Sequence, residues 1–504
     1  MKTRSTCCSL TSAMLTLALL SCIQGEKVYA SEKVGNVNQS EFAFENNNYP
    51  TVKTSQLLYD ELDYQRAVQA YIWAQPLVGL GAMIEGARRI GIAPMELFVF
   101  DQGLRINQAL QTGNDDVIYS FSYFNLQKTG PLVVEIPVGN LYGVVLDAWQ
   151  RPIEDVGRIG PDLGKGGKYL IVPPGWSGEL PEGGYFSRIS ETNNGMLFLR
   201  AVRAPGESRE SAVARLAQSN IYPYAMRAAP PALRMRKMGT DDYDGLTPRG
   251  TAYFDLMAQR VREEGGNERD RVMLGMLASI GIEADKSFTP DARLDRILQR
   301  AEQTGRAMVA NLEFNPRKPR REIFKGTQWH NGTGLVHYSQ ERGALTEVDE
   351  RAALYRFGFA MHKFLDPSFK PIVGKGAAYA TAYRDAGGKF LDGSKTYQLH
   401  VPGNVPVADY WSVTAYDADT FNFIDTDQKR PSLSSLKDLA RNADGSIDLY
   451  FSQHEPPDKS GNWIKTVPGK GFLLLLRMFG PTQSFYDATW TLGDVKEVKQ
   501  PGQS

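Results

Sequence analysis

Leu132-Val-Val-Glu-Ile-Pro137, Leu141-Tyr-Gly-Val-Val-Leu-Asp147, Gly167-Lys-Tyr-Leu-Ile-Val172 and Met196-Leu-Phe-Leu-Arg200 follow one another in the first half of the chain. About 265 residues later the same order returns as Tyr397-Gln-Leu-His-Val-Pro402, Tyr410-Trp-Ser-Val-Thr-Ala-Tyr416, Gly445-Ser-Ile-Asp-Leu-Tyr450 and Phe472-Leu-Leu-Leu-Leu-Arg477. A repeat at so long a period predicts two related domains rather than a solenoid, whose period is roughly 20–50 residues.

The 504 residues exceed the ~250–300 that one core usually serves, which predicts two or three domains. With 42% hydrophobic and 11% aromatic residues, a disordered chain is excluded. Lys2 and Arg4, an uncharged apolar run over residues 13–20, and Val28-Tyr-Ala30 ahead of Ser31 have the parts of a secretory signal cut after Ala30. That run is shorter than the ~20 residues that span a bilayer, so no transmembrane segment is expected in the mature chain. The rival cut before Cys22, in Leu19-Leu-Ser-Cys22, would make a lipid-tethered protein, although Leu20 is larger than that position usually takes.

Cys7, Cys8 and Cys22 all precede Ala30, so the mature chain would have no disulfide, thiol nucleophile or thiolate metal site. Lys plus Arg and Asp plus Glu are 57 each; loss of Lys2, Arg4, Lys27 and Glu26 leaves 54 against 56. A mature charge near −2 argues against nucleic acid as a partner. Arg317-Lys-Pro-Arg-Arg321 is the local exception and reads as a solvated loop.

Residues 31–55 are polar and Asn-rich. Ala67, Ala70, Tyr71 and Ala74 recur at helical spacing and predict a helix over residues 60–89, stopped near Gly91. Residues 114–203 show β-type segments broken by Pro173-Pro-Gly175 and Pro181-Glu-Gly-Gly184, where proline presets φ and glycine accepts positive φ. Residues 207–311 turn helical, with Thr247-Pro248 and Thr289-Pro290 as starts. A further helix is expected from Thr346, its hydroxyl capping toward Asp349, to about residue 364. The β-pattern returns over residues 395–498.

The run Gly160-Pro-Asp-Leu-Gly-Lys-Gly-Gly-Lys-Tyr-Leu-Ile-Val-Pro-Pro-Gly-Trp176, preceded by Asn114-Asp-Asp-Val-Ile-Tyr119, resembles the family known as domain of unknown function 1254. Asp444-Gly-Ser446, Asn462-Trp463 and Phe472-Leu-Leu-Leu-Leu-Arg477 resemble its partner family, domain of unknown function 1214. The resemblance spans about residues 60–498. It implies two jelly-roll-like sandwiches with a helical insertion, in an exported or envelope-associated bacterial protein. It implies no agreed activity and no catalytic residue to carry over.

Gly160-Pro-Asp-Leu-Gly164-Lys165 is not a nucleotide phosphate loop, because three residues separate the glycines and a strand follows; a glycine-rich hairpin is expected. Asn114, Asp115, Asp116 and Tyr119 precede one strand, and Asp147, Arg151, Glu154, Asp155 and Arg158 follow another. If both groups share one end of a sandwich they form an acid and arginine cleft. Asp116 and Asp147 would then be the catalytic carboxylates, with Asn114, Tyr119, Arg151 and Arg158 binding substrate. Against this, acids at strand ends commonly just close turns.

The five histidines, His330, His337, His362, His400 and His454, lack His-x-x-x-His spacing, and no metal site is assigned. His362 reads as a helix-face residue with a satisfied ring. No Gly-x-Ser-x-Gly elbow occurs, which argues against a serine hydrolase. Trp149 and Trp176, near turns, are either core residues or a sugar-stacking platform.

The expected fold is α+β, with two jelly-roll-like antiparallel β-sandwich domains, an N-terminal helix region and a helical insertion between them. The expected divisions are a signal peptide at 1–30, a flexible lead-in at 31–55, a helix plus first sandwich at 56–205, a mostly helical insertion at 206–365 and a second sandwich at 366–504. The expected function is small-molecule or glycan binding, or hydrolysis, in the first-sandwich cleft of an exported, periplasmic or secreted protein. The alternative is a non-catalytic envelope protein acting by self-assembly, such as a homo-oligomer, or by partner binding. No cofactor is indicated by the sequence.

Overall fold

The computed structural model describes residues 41–266, 268–331, 337–359, 362–363, 371–429, 431–457 and 461–498. The expected leader, Cys22 and residues 31–40 of the lead-in lie outside the described residues. The described residues fall into two compact units that divide after Glu61. In the first, Phe44–Glu45 pairs with Tyr49–Pro50 ahead of a helix. Among the described residues no single helix is long and apolar enough to cross a membrane.

The fold is α+β. Its longer helices are α1 (Val52–Trp73), α2 (Gln75–Arg89), α3 (Ala252–Glu264), α4 (Ala292–Phe314) and α5 (Val348–Phe357). The first half supplies β1 (Leu97–Val99), β2 (Ile118–Asn125), β3 (Leu132–Ile136), β4 (Leu141–Asp147), β5 (Pro152–Gly157), β6 (Gly167–Val172), β7 (Phe186–Ile189), β8 (Asn194–Ala201), β9 (Asn220–Pro223) and β10 (Met235–Lys237). The second supplies β11 (Ala377–Ala382), β12 (Tyr397–Val401), β13 (Val407–Asp417), β14 (Ser432–Ser434), β15 (Ile447–Ser452), β16 (Trp463–Lys465), β17 (Phe472–Pro481) and β18 (Lys496–Glu497).

The first-half strands form a six-stranded sheet, β10-β1-β2-β8-β4-β5, and a four-stranded sheet, β7-β6-β3-β9. The second-half strands form two four-stranded sheets, β11-β17-β13-β14 and β16-β15-β12-β18. Pairing is antiparallel except at three edges, where β10, β7 and β16 run parallel to their neighbours.

The echoed strands β8 and β17 are each the centre of a sheet and buried along their whole length. A strand covered on both faces needs a near-continuous apolar run, which these have. Alternation divides each run between two cores. Leu197 and Leu199 pack with Val134 and Ile171 between the two first-half sheets. Leu474 and Leu476 pack with Leu399 and Leu449 between the two second-half sheets. The opposite faces, with Met196 and Phe198 on one strand and Leu473, Leu475 and Phe479 on the other, join a third core shared by both halves.

The helices pack around a separate cluster of Ala70, Val78, Met257, Leu298 and Ala352, into which Trp149 inserts from the turn after β4. The expected single helix over residues 60–89 is two helices, because Pro76 in the first turn of α2 cannot continue the backbone ladder of α1. Helices α3 and α4 begin after the Thr-Pro pairs, and Asp291 rather than Thr289 caps α4. Helix α5 starts without a side-chain cap and stops at Phe357, where Gly358 is extended, so His362 lies beyond it. The glycine run after Gly157 is not a hairpin. It carries the chain from β5 in one sheet to β6 in the other, and a Cβ at Gly160 would collide with the carbonyl oxygen of Asp155.

Asp115 and Asp116 are buried where the two halves meet, and Lys437 of the second half reaches Asp115 at 3.2 Å. Both carboxylate oxygens of Asp116 are buried without a hydrogen-bond partner. Burial, reinforced by the neighbouring Asp115, pushes its pKa up to about 6, against the pull of Lys437.

Two outcomes are expected. Phe479 stacks on Tyr410 at 4.7 Å in the shared core, so Phe479→Ala should cost about 3–5 kcal/mol. Unfolding followed by circular dichroism and by fluorescence should shift as one transition; two transitions with only one displaced would contradict a shared core. For Asp116, the folded state holds a proton that the unfolded state has lost between about pH 4 and pH 6, so stability falls as pH rises through that window. Asp116→Asn should therefore raise stability at pH 8 by on the order of 2 kcal/mol and change it little at pH 4. Urea titrations giving an equal change at both values would refute the assignment.

Candidate functional site

On the face turned toward the shared core, each of the two echoed strands carries one arginine. Arg200 sits opposite Tyr119 on β2 and Tyr142 on β4. Arg477 sits opposite Tyr379 on β11 and Ser412 on β13. Both arginines, with Tyr119, Phe198, Tyr379 and Leu475, line a cavity of about 1420 Å³ between the halves. Glu154 and Asp155 on β5, Arg188 on β7, the end of α5, His362 and the loop at Arg317–Arg321 complete its wall.

Arg200 is 5% exposed and donates to the Tyr379 hydroxyl at 3.0 Å and to His362 Nε2 at 2.8 Å. Its Nε is buried without an acceptor. A guanidinium can only donate, so His362 Nε2 accepts and the ring is neutral, with its proton on Nδ1. That proton points to Asp155 Oδ1 at 3.1 Å. Burial, then the charge of Arg200, pushes the His362 pKa below its ordinary value, with Asp155 opposing. The result is a chain from Asp155 through neutral His362 and Arg200 to Tyr379.

Arg477 is committed to neutral oxygens. It donates to the Tyr416 hydroxyl at 2.6 Å, to the Gly113 carbonyl at 3.2 Å and to the Thr112 carbonyl. Among the described residues no carboxylate ion-pairs with Arg200 or Arg477. Burial of Tyr119 raises its pKa to about 12, which keeps its phenol protonated. Two buried positive charges therefore face a cavity with aromatic walls, and neither is ion-paired directly; Asp155, the nearest wall carboxylate, is reached only through His362.

The sequence-derived cleft is distributed differently. Asp147 pairs with Gly195, which pairs with Phe124 at the far end of β2, whereas Asp116 precedes Ile118 at its start. At ~3.3 Å per residue, roughly 20 Å of strand separates Phe124 from Ile118, so the two carboxylates lie toward opposite ends of β2. They share no site, and neither lines the cavity. Asp147 is a buried turn residue whose Oδ1 accepts from the amides of Trp149 and Arg151 at 2.9 and 2.7 Å. Arg151 adds a 3.8 Å contact with Asp147 and a bond to the Ser339 carbonyl.

Asn114 bonds the Tyr410 hydroxyl at 2.9 Å and the Asp116 amide at 2.9 Å. Arg158 ties Asn140 to Asp409 of the second half. Of the six proposed residues only Tyr119 reaches the cavity. Trp149 packs against Trp73 at 4.6 Å, and Trp176 is exposed elsewhere, so they form no platform. Among the described residues no group of three His, Cys, Asp or Glu could hold a metal. The residues that sequence reasoning missed are Arg200, Arg477, Tyr379 and the role of His362. The available signal was an arginine closing both echoed apolar runs.

No curated protein matches the chain. Among solved structures it is similar to the VPA0106 protein from Vibrio parahaemolyticus, with 19% identity over 87% of this chain and 100% of the other, at a TM-score of 0.48. An uncharacterised protein from Burkholderia cenocepacia matches with 13% identity over 88% and 97% of the two chains, at a TM-score of 0.38. Residues 99–223 match the family model described as protein of unknown function DUF1254, and residues 376–483 match protein of unknown function DUF1214. The chain thus matches, in that order, the models of the two families that its glycine-rich run and its C-terminal motifs resemble.

Proposed function

We propose that the protein binds an anionic organic small molecule in the cavity between its halves. In this reading each half is a jelly-roll-like sandwich acting as one jaw, and the leader-like N-terminus delivers the protein to the periplasm or beyond. The single observation that carries it is the pair of buried, carboxylate-free arginines at matched positions on the two central strands. Arg200 is the anchor, since its Nε still lacks an acceptor. Arg477 adds charge while its donors stay with the protein. Phe198, Phe359 and Tyr379 supply apolar surface. The cavity exceeds the ~300–1,000 Å³ of a typical ligand pocket, so an organic acid with a sizeable body fits better than a bare inorganic ion.

Hydrolysis by an Asp116 and Asp147 pair has less support, because the two do not meet. Glycan stacking on Trp149 and Trp176 has less support for the same reason.

Calorimetry and thermal shift on the purified full chain, with organic acids and their neutral amides at pH 7, test this reading. Acids should bind and raise the Tm, while the amides should not. Arg200→Gln should weaken acid binding roughly 10- to 100-fold, the worth of a hydrogen bond to a charged group. Its ligand-free Tm should hold or rise, because a buried charge without a carboxylate partner is removed. Equal binding of acids and amides, or undiminished binding by a folded Arg200→Gln variant, would overturn it.

A further inference from the structure

The cavity wall also carries cations that are not ion-paired and that reach solvent. Five acids line the wall: Asp155 holds His362, Asp349 makes no ion pair among the described residues, and the other three are paired. Glu154 is shared by Arg188 and Lys363, Glu350 pairs with Lys318 at 2.6 Å, and Glu347 pairs with Arg342 at 3.3 Å. Arg320 is taken by the buried Glu313 at 2.7 Å. Arg317, Arg321 and Lys375 also line the cavity, and none of them makes an ion pair or side-chain hydrogen bond among the described residues. Arg317 and Arg321 are exposed and Lys375 is half-buried, whereas Arg200 and Arg477 are 5% and 3% exposed. The wall also includes Leu312, Ile323, Leu354, Phe357 and Phe359.

Resting on the reading that the cavity binds an organic anion, we infer that its ligand is a two-ended dianion with an apolar body. One carboxylate-like group meets Arg200 at the buried end, and the second meets Arg317 and Arg321 on the exposed loop of the wall. A planar carboxylate suits a guanidinium that has a free edge. Cations at the lip of a cleft whose walls exclude water also concentrate anions there. A phosphate terminus shares this chemistry at either end.

The test is calorimetry and stopped-flow binding on the full chain with linear α,ω-dicarboxylates of increasing length, the matching monocarboxylates, and ω-phosphorylated acids to separate the two kinds of terminus. The dianions should bind roughly tenfold tighter than the monoacids, with an optimum length, since a linker too short to span both groups gains nothing. Arg317→Ser with Arg321→Ser should erase that advantage, mainly through faster dissociation, and leave the monoacids unchanged. Arg317→Glu with Arg321→Glu should turn the advantage into a penalty. Both rim pairs change exposed side chains that are not ion-paired among the described residues.

Monoacids and dianions binding alike in every variant would overturn the two-ended ligand while leaving the anion cavity in place. Rim variants that slow association alone would also overturn it, because the rim would then steer and not bind. If no acid of either kind binds, the underlying cavity reading fails as well.

Discussion

A guanidinium kept out of water without a carboxylate is the constraint around which this molecule is arranged. An isolated buried charge costs several kcal/mol unless its donors are met. Arg200 meets that demand in part, with a tyrosine hydroxyl from the other half, a neutral imidazole and the face of Phe198 at 5.3 Å, while its Nε has no acceptor among the described residues. Arg477 meets it with backbone carbonyls and Tyr416. These partners satisfy hydrogen bonds and leave most of the charge uncompensated. Asp155 is the nearest compensation, and it acts through His362.

The constraint follows from how the two central strands are shared between cores. Each central strand divides its side chains between a private interior and a common one, and alternation sends Arg200 and Arg477 to the common side. Two apolar faces that met completely would simply merge. Here the shared core of Tyr410, Phe421 and Phe479 closes part of the junction. Beside it the arginines and Tyr119 stand where the sheets part into the cavity. Each half thus contributes one arginine to the wall of the same cavity.

Much of the architecture was legible in the sequence. The echo paired the right strands, the Gly and Pro clusters marked breaks between β-segments, and the β-to-helix-to-β order is the observed one. The site was less legible, for physical reasons. Acids at strand ends drew attention to Asp116 and Asp147, but which end of a sheet a residue occupies depends on register, and β4 runs antiparallel to β8 so that Asp147 falls far from Asp116. Glu154 and Asp155, from the same sequence group, do reach the cavity because β5 folds back along β4. Arg317-Lys-Pro-Arg-Arg321 looked like an ordinary solvated loop, since charge composition does not reveal that a loop borders a cavity. His362 lies within a few residues of a helix pattern, and nothing local shows that its ring bridges Asp155 and Arg200.

The central claim is that the space between the halves holds net positive charge awaiting an anion. Anomalous diffraction from crystals of the full chain soaked in bromide tests it most directly. The account predicts an ordered bromide within hydrogen-bonding reach of Arg200, absent in Arg200→Gln crystals. Bromide confined to the outer surface, with the cavity free of it in both, would contradict the account.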